Sequence, residues 1–189
     1  MGLLRTLLPN KVPLRNYLKR SSVVLIHRLN EHGVRELLFI QRAHRHGDPW
    51  SGDMAFPGGR MEAGDAHPRA AAERETREET GLDLARYGHF EGRLPDLVTR
   101  QHSRRRPMVV TPYVFEWIGP HASTLNHEVD SVVWIPLAEL RDPANRSTLR
   151  WRTPLGALRL PCIRYGERCI WGLSFSMLQT FLRSDEGRR

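Results

Sequence analysis

Cysteine is scarce. Cys162 and Cys169 are the only two in 189 residues, too few for a stapled secreted framework and without the paired spacing of a zinc site. Both stand among apolar neighbours, which predicts free thiols and a reducing, cytoplasmic setting. Their spacing leaves open whether a hairpin brings them together. Long apolar runs are also missing. No stretch approaches the roughly 20 residues that span a bilayer, and the pairs Leu3–Leu4 and Leu7–Leu8 are broken up by Arg5, Asn10 and Lys11. The expectation is a protein without a membrane partner or a secretory signal. Lysine is nearly absent: of 29 basic residues only Lys11 and Lys19 are lysine, against 21 acidic residues and a net charge of +8. Arginine's planar fork suits phosphate, so an anionic ligand and an ordinary solvated surface are both open. Nucleic acid is a partner the charge permits without favouring, because bulk charge speaks to solubility and steering rather than to a site.

What is present reads as one domain over residues 21–185 behind an arm over residues 1–20, the arm broken by Pro9 and Pro13. Ser22–Arg28 is β-branched and apolar, Glu31–Gly33 supplies a turn, and Arg35–Arg42 completes a hairpin. His44–Asp53 is polar and carries Gly and Pro, which predicts a loop. Met54–Phe56 is a short extended piece that Pro57-Gly58-Gly59 ends. Pro68 to Thr80 is the clearest helix, with Pro at its first position, three alanines inside and Gly81 as its stop. Tyr87–Leu94, Met108–Trp117 and Ser131–Ile135 read as strands, and Leu97–Pro107 as a basic loop. Pro112 marks its strand as an edge or a bulge. Two extended pieces occupy Thr148–Tyr165, and Trp171–Arg183 closes as an amphipathic helix. Strands mixed with two main helices predict an α+β protein, an α/β/α sandwich with a mixed β-sheet between helices.

Chemistry concentrates between Gly58 and Leu82. Residues three and four apart share a helix face, so Glu75, Glu78 and Glu79 project together. Converging carboxylates repel unless a cation neutralises them, and Mg2+ or Mn2+ has the matching preference for hard oxygen ligands. A solvated helix with Glu–Arg pairs explains the same composition if the helix is taken alone. The surrounding glycine turn, acidic loop and glycine stop favour the first reading.

These residues resemble the box of the Nudix hydrolase family, which runs from a glycine through an acidic residue to Arg-Glu-x-x-Glu-Glu-x-Gly and an apolar position. Here the matching residues are Gly59, Asp65, Arg74-Glu75-Thr76-Arg77-Glu78-Glu79-Thr80-Gly81 and Leu82. Asp stands where Glu is usual, Thr76 replaces an aliphatic residue, and one extra residue precedes Arg74. Phe56-Pro57-Gly58-Gly59 with Glu62 and Asp65 is similar to the coenzyme A diphosphatase branch. So are Leu37-Leu38 through Gln41-Arg42-Ala43 and Gly52-Asp53-Met54-Ala55-Phe56, with Ala43 for Ser and Asp53 for Gln.

The resemblance implies hydrolysis of a diphosphate bond in a nucleotide. Coenzyme A or acyl-coenzyme A comes first, with another nucleotide or a non-catalytic ligand- or nucleic-acid-binding module as alternatives. It implies metal ligation by Glu75, Glu78, Glu79 and the Gly59 carbonyl, with Arg74 orienting carboxylates and Asp65 anchoring the loop to the helix start. Glu128 is a distant candidate for general base, with a solvated loop glutamate as its bland alternative. Arg42 and Arg45 are candidates for phosphate contact, and Arg104, Arg105 and Arg106 for a 3′-phosphate or a solvated loop. Trp50 has two readings, stacking on a base or packing against the box. His44 and His46 read as loop surface rather than zinc ligands. A homodimer is possible by analogy with the family.

Overall fold

The computed structural model describes residues 11–13, 17–48, 50–100, 107–120, 124–153 and 156–186. Arg104, Arg105 and Arg106 and most of the expected arm lie outside the described residues.

The centre is an eight-stranded mixed sheet. Its strands are β1 (Lys19–Leu29), β2 (Arg35–Arg42), β3 (Met54–Ala55), β4 (Gly58–Arg60), β5 (Gly88–Arg93), β6 (Leu97–Arg100), β7 (Pro107–Trp117) and β8 (Val129–Pro136). β1 lies parallel to β7 and antiparallel to β2. The apolar run Val23-Val24-Leu25-Ile26 is continuous because β1 is covered on both faces. Val24 and Ile26 join one core with Ala72, Leu82 and Phe115, under helix α1 (Pro68–Thr80). Leu25 joins the other with Phe39, Val114 and Phe181, under helix α4 (Gly172–Glu186). Two short helices, α2 (Leu84–Tyr87) and α3 (Leu137–Arg141), complete the helical layers. A separate antiparallel sheet carries β9 (Arg146–Thr153), β10 (Gly156–Tyr165) and β11 (Arg168–Trp171) in the order β11-β10-β9. The α+β sandwich expected from the sequence is the observed architecture.

Several boundaries differ from the sequence reading. β1 begins at Lys19, so two residues of the expected arm belong to the sheet. The extended piece at Met54 does end before Pro57, but Gly58 and Gly59 start a new strand, β4, paired with Val23 and Ser22 of β1. Leu97–Pro107 is not wholly a loop, because Leu97–Arg100 pairs with β7. Tyr87 closes a helical turn that the Asp83 side chain caps by accepting from the Arg86 N–H at 3.2 Å. β7 is no edge strand. Its outer partner changes from β5 to β6 around Pro112: Arg93 pairs with Tyr113 and Leu97 with Val110. The Pro112 carbonyl accepts from Leu94 N–H at 2.9 Å. In an extended strand the missing N–H of proline faces that same side, where the exchange of partners asks for no donor.

Cys162 and Cys169 are free. The β10–β11 hairpin places Cys162 opposite Trp171 and Cys169 opposite Arg164. Burial and the neighbouring Cys162 thiol push the Cys169 thiol up to about 12, so Cys169 is a protonated, unreactive thiol near neutrality.

Candidate active site

Helix α1 starts at His67, whose Nδ1 accepts from the Ala70 N–H at 2.9 Å, and Pro68 sets its first turn. It stops at Gly81, whose N–H donates to the Arg77 carbonyl at 2.9 Å. Ala71, Ala72, Thr76 and Thr80 are buried against the sheet. The two threonines are tolerated there because each hydroxyl donates back one turn, Thr76 to Ala72 O at 2.7 Å and Thr80 to Thr76 O at 2.6 Å. This burial fixes the helix rotation and so decides where each acid points.

Glu79 points inward and is 5% exposed. Its Oε2 accepts from the Gly58 N–H at 2.8 Å. Burial pushes its carboxyl up to about 8; the Gly58 bond opposes that, while the charges of Glu75 and Glu128 add to it. Gly58 can approach because it has no side chain. It sits at φ 140°, and a Cβ there would lie 2.2 Å from the Ser22 carbonyl oxygen. At Gly59 a Cβ would lie 2.3 Å from the Glu75 carboxylate, so glycine lets this acid lie against β4. The Gly59 carbonyl also accepts from Ser21 Oγ at 2.8 Å. Burial raises the Glu75 carboxyl against the lowering effect of Arg74.

The three acids expected to project together do so only in part. Glu78 turns outward, its side chain 53% exposed, onto an open depression of about 450 Å3 lined by Arg74, Arg77 and Glu78. Among the described residues no three acidic, histidine or cysteine side chains are already gathered around one point. Arg74 supplies the reason. Its guanidinium lies 3.1 Å from Glu75 Oε1 and 3.2 Å from Glu78 Oε2, and so stands as the counter-charge to both acids. It is held by Asp65 through Nε–Oδ1 at 3.1 Å and Nη2–Oδ2 at 3.2 Å. Asp65 therefore anchors the loop, but through Arg74 in the second turn, while His67 caps the helix start.

Oxygen donors dominate this region: two carboxylates with raised proton affinity, a third one turn away and a backbone carbonyl. A hard divalent cation fits that set. It would relieve the burial cost of charged Glu79, which no neutral partner does fully.

Other candidates occupy the rim. Arg42 Nη2 bonds Asp48 Oδ2 at 2.7 Å, and Arg45 Nη2 bonds Glu128 Oε1 at 3.1 Å. Both arginines expected to face phosphate are thus paired within the rim: Arg42 ties the end of β2 to loop 43–53, and Arg45 ties that loop to the segment before β8. The charges of Arg42 and Glu128 both reach Glu79, so the distant loop does lie beside the box. Trp50 stacks on Trp151, ring centroids 5.7 Å apart at 10°, and also meets Trp171 at 5.6 Å. It packs there and belongs to neither apolar core. His44 and His46 are exposed, as expected of loop surface. Asp48, Asp53, Trp151 and Trp171 escape sequence reading, because they meet this loop from strands over 90 residues away or through turn geometry. Two left a trace: Asp53, as the acid in a position where the related branch has Gln, and Trp171, in Ile170-Trp171-Gly172-Leu173, which is similar to that branch.

Comparisons with known proteins agree with this fold. The NUDIX domain family model matches residues 18–152. The human mitochondrial coenzyme A diphosphatase NUDT8 is 31% identical over 157 residues, covering 82% of this chain and 64% of that protein. A Schizosaccharomyces pombe protein, C14C4.10c, is 39% identical over 114 residues, covering 58% of this chain and 34% of its own length. The chain thus spans less than two thirds of either relative. The crystal structure of a C. elegans Ap4A hydrolase binary complex superimposes with a TM-score of 0.60 at 19% identity, over 90% of this chain and 99% of that one, a likeness of fold. On the family match and the architecture that agrees with it, the chain belongs to the Nudix hydrolase family.

Proposed function

We propose that the protein hydrolyses the diphosphate bond of a nucleoside diphosphate derivative, with coenzyme A or acyl-coenzyme A as substrate. The products are adenosine 3′,5′-bisphosphate and (acyl-)4′-phosphopantetheine. The observation that carries the chemistry is a buried carboxylate, Glu79, held against Gly58 of β4 with Glu75 and Glu128 in electrostatic reach. The choice of coenzyme A rests on the Phe56-Pro57-Gly58-Gly59 region and on the similarity to human NUDT8.

Glu75, Glu78, Glu79 and the Gly59 carbonyl are the residues that would hold Mg2+ or Mn2+. When bound, such an ion neutralises phosphate oxygens and acidifies water. Arg74 holds Glu75 and Glu78 in place from its Asp65 anchor. Glu128 takes the role of general base; its pairing with Arg45 orients it. Arg42 and Arg45, on the rim beside the box, are the residues that would meet the diphosphate, and the Arg104-Arg105-Arg106 run meets a 3′-phosphate. Among the described residues no helix is long and apolar enough to cross a membrane. Two free thiols fit the cytoplasm as the proposed compartment, although the human relative is mitochondrial by name.

A nucleotide panel with Mg2+ or Mn2+, read by mass spectrometry, tests this. Coenzyme A is expected to be cleaved, and dephospho-coenzyme A more slowly. Cleavage of other diphosphates with coenzyme A untouched overturns the substrate. No turnover of any diphosphate, with ligand binding intact, overturns the hydrolase.

A further inference from the structure

Ser22 lies in β1, where alternate residues face opposite layers. Val24 and Ile26, of the same parity, pack under α1 with Ala72, whereas Leu25 packs under α4. The Ser22 side chain therefore points into the α1 layer, and the residue is 0% exposed. β4 places Gly59 directly opposite Ser22, and directly opposite residues of an antiparallel pair face the same way. The space that a Cβ at Gly59 would occupy is taken by the Glu75 carboxylate, whose oxygens lie 2.3 Å and 2.7 Å from that point. Ser22 and Glu75 thus approach each other over a single glycine.

Both groups have bonding capacity left over. The other hydroxyls of this layer are committed. Thr76 donates to Ala72 O and Thr80 to Thr76 O. Thr111, beside Ser22 in the parallel register, donates to Asp96 Oδ1 at 2.7 Å. The Ser22 hydroxyl has no partner among the described residues. Glu75 Oε1 accepts from Arg74 Nη2 at 3.1 Å, while its Oε2 accepts no hydrogen bond among them. A buried hydroxyl left unpaired costs free energy, so some state of the protein is expected to satisfy it. Opposite Cβ positions lie roughly 4.5 to 5.5 Å apart. One rotamer change or one bridging water therefore carries Ser22 Oγ to the carboxylate.

We infer that Ser22 is a positioning residue for the cation site: its hydroxyl donates to the Glu75 carboxylate and aims it at a divalent ion. The inference rests on the proposed metal-dependent reading and deepens it. Arg74 is the counter-charge to Glu75 and Glu78, but a guanidinium is repelled by a second cation close by. A hydroxyl is a neutral donor and keeps its bond beside one. Donors placed behind a ligating carboxylate orient it and raise metal affinity.

Mn2+ binding by the full chain, followed by electron paramagnetic resonance, tests this without turnover. Ser22→Ala is expected to weaken Mn2+ binding about ten-fold. In EDTA the same variant is expected to melt at or above the wild-type temperature, because it deletes a hydroxyl that the metal-free fold leaves unpaired. A residue that only packs does not give this opposed pair of effects. Glu75→Gln supplies the second arm. Adding Ser22→Ala to it should weaken Mn2+ binding by less than about two-fold more, since the hydroxyl has lost its target charge. Unchanged Mn2+ affinity in Ser22→Ala overturns the inference, as does an undiminished loss on the Glu75→Gln background. A Ser22→Ala protein that melts below wild type in EDTA, or fails to fold, also overturns it, because the hydroxyl then serves the metal-free fold. Wild-type Mn2+ binding and diphosphate cleavage with no effect of Ser22→Ala sink the inference alone. A wild type that binds no Mn2+ sinks the metal-dependent reading, and the inference with it.

Discussion

Glu79 concentrates the conflict on which the proposed chemistry depends. A carboxyl pushed up to about 8 by burial is mostly neutral at pH 7, so a cation must compensate before it acts as a ligand. The sign of the consequence is fixed. A raised folded value means that its contribution to stability is full below the unfolded value near 4.5 and is lost as the pH rises through about 8. Metal-free Glu79→Gln is therefore expected to melt several degrees above wild type at pH 9, a gain of about 2 kcal/mol, and close to it at pH 5. Calorimetry in EDTA checks this; an unchanged melting temperature at pH 9 contradicts the burial account. The same substitution is expected to lower turnover on the order of 10² to 10³-fold with Mg2+, because a ligand charge is gone while the fold survives. Near-normal turnover would remove Glu79 from the mechanism. The Glu75-x-x-Glu78-Glu79 spacing was legible as chemistry from the sequence. The outward turn of Glu78 was not, since it depends on Arg74 competing for that carboxylate and on which helix face the sheet buries.

At the scale of elements, α4 is held by one buried charge. Asp185 is 1% exposed, and it accepts from Arg35 Nη1 at 2.8 Å and Arg141 Nη2 at 2.5 Å. Burial alone would raise its carboxyl, but the two guanidinium groups outweigh that and hold it below the usual range. It thereby ties the last helical turn to β2 and α3. Asp185→Asn should cost about 2 to 3 kcal/mol, since the variant leaves two cations around a weaker acceptor. The lowered value means that this stability is present above the unfolded pKa near 3.8 and fades as the pH falls below it. Denaturant melts at pH 7 and pH 3 are expected to show a large gap and then a small one; equal gaps would contradict the ion-pair origin. Sequence showed α4 through its apolar period. Asp185 looked like any acid near a helix end, because both its partners come from elements over 40 residues away.

For the whole molecule, the arginine excess becomes a statement about approach. A net charge of +8 attracts a polyanionic substrate over distances that salt screens. The value of kcat/KM for coenzyme A is expected to fall several-fold between about 20 and 200 mM salt with kcat little changed. A fall confined to kcat would place the salt effect on the chemical step instead. The layers themselves follow from patterning. Continuous apolar runs at Val23–Ile26 and Leu37–Ile40 require cover on both faces; α1 covers one face, and α4 with Ile163 and Ile170 of the second sheet covers the other.

Local composition and spacing by themselves determined the family box, the helix that carries it, and the mixed sheet between helical layers. Those depend on periodicity and on backbone preferences, which act between near neighbours in the chain. The tertiary structure decided what needs distant segments to meet. It buried Glu79 and exposed Glu78, paired Arg45 with Glu128, exchanged the partners of β7 around Pro112, and stacked Trp50 on Trp151 and Trp171. The physical reason is that charge, proton affinity and stacking depend on separation in space, which chain order alone does not encode.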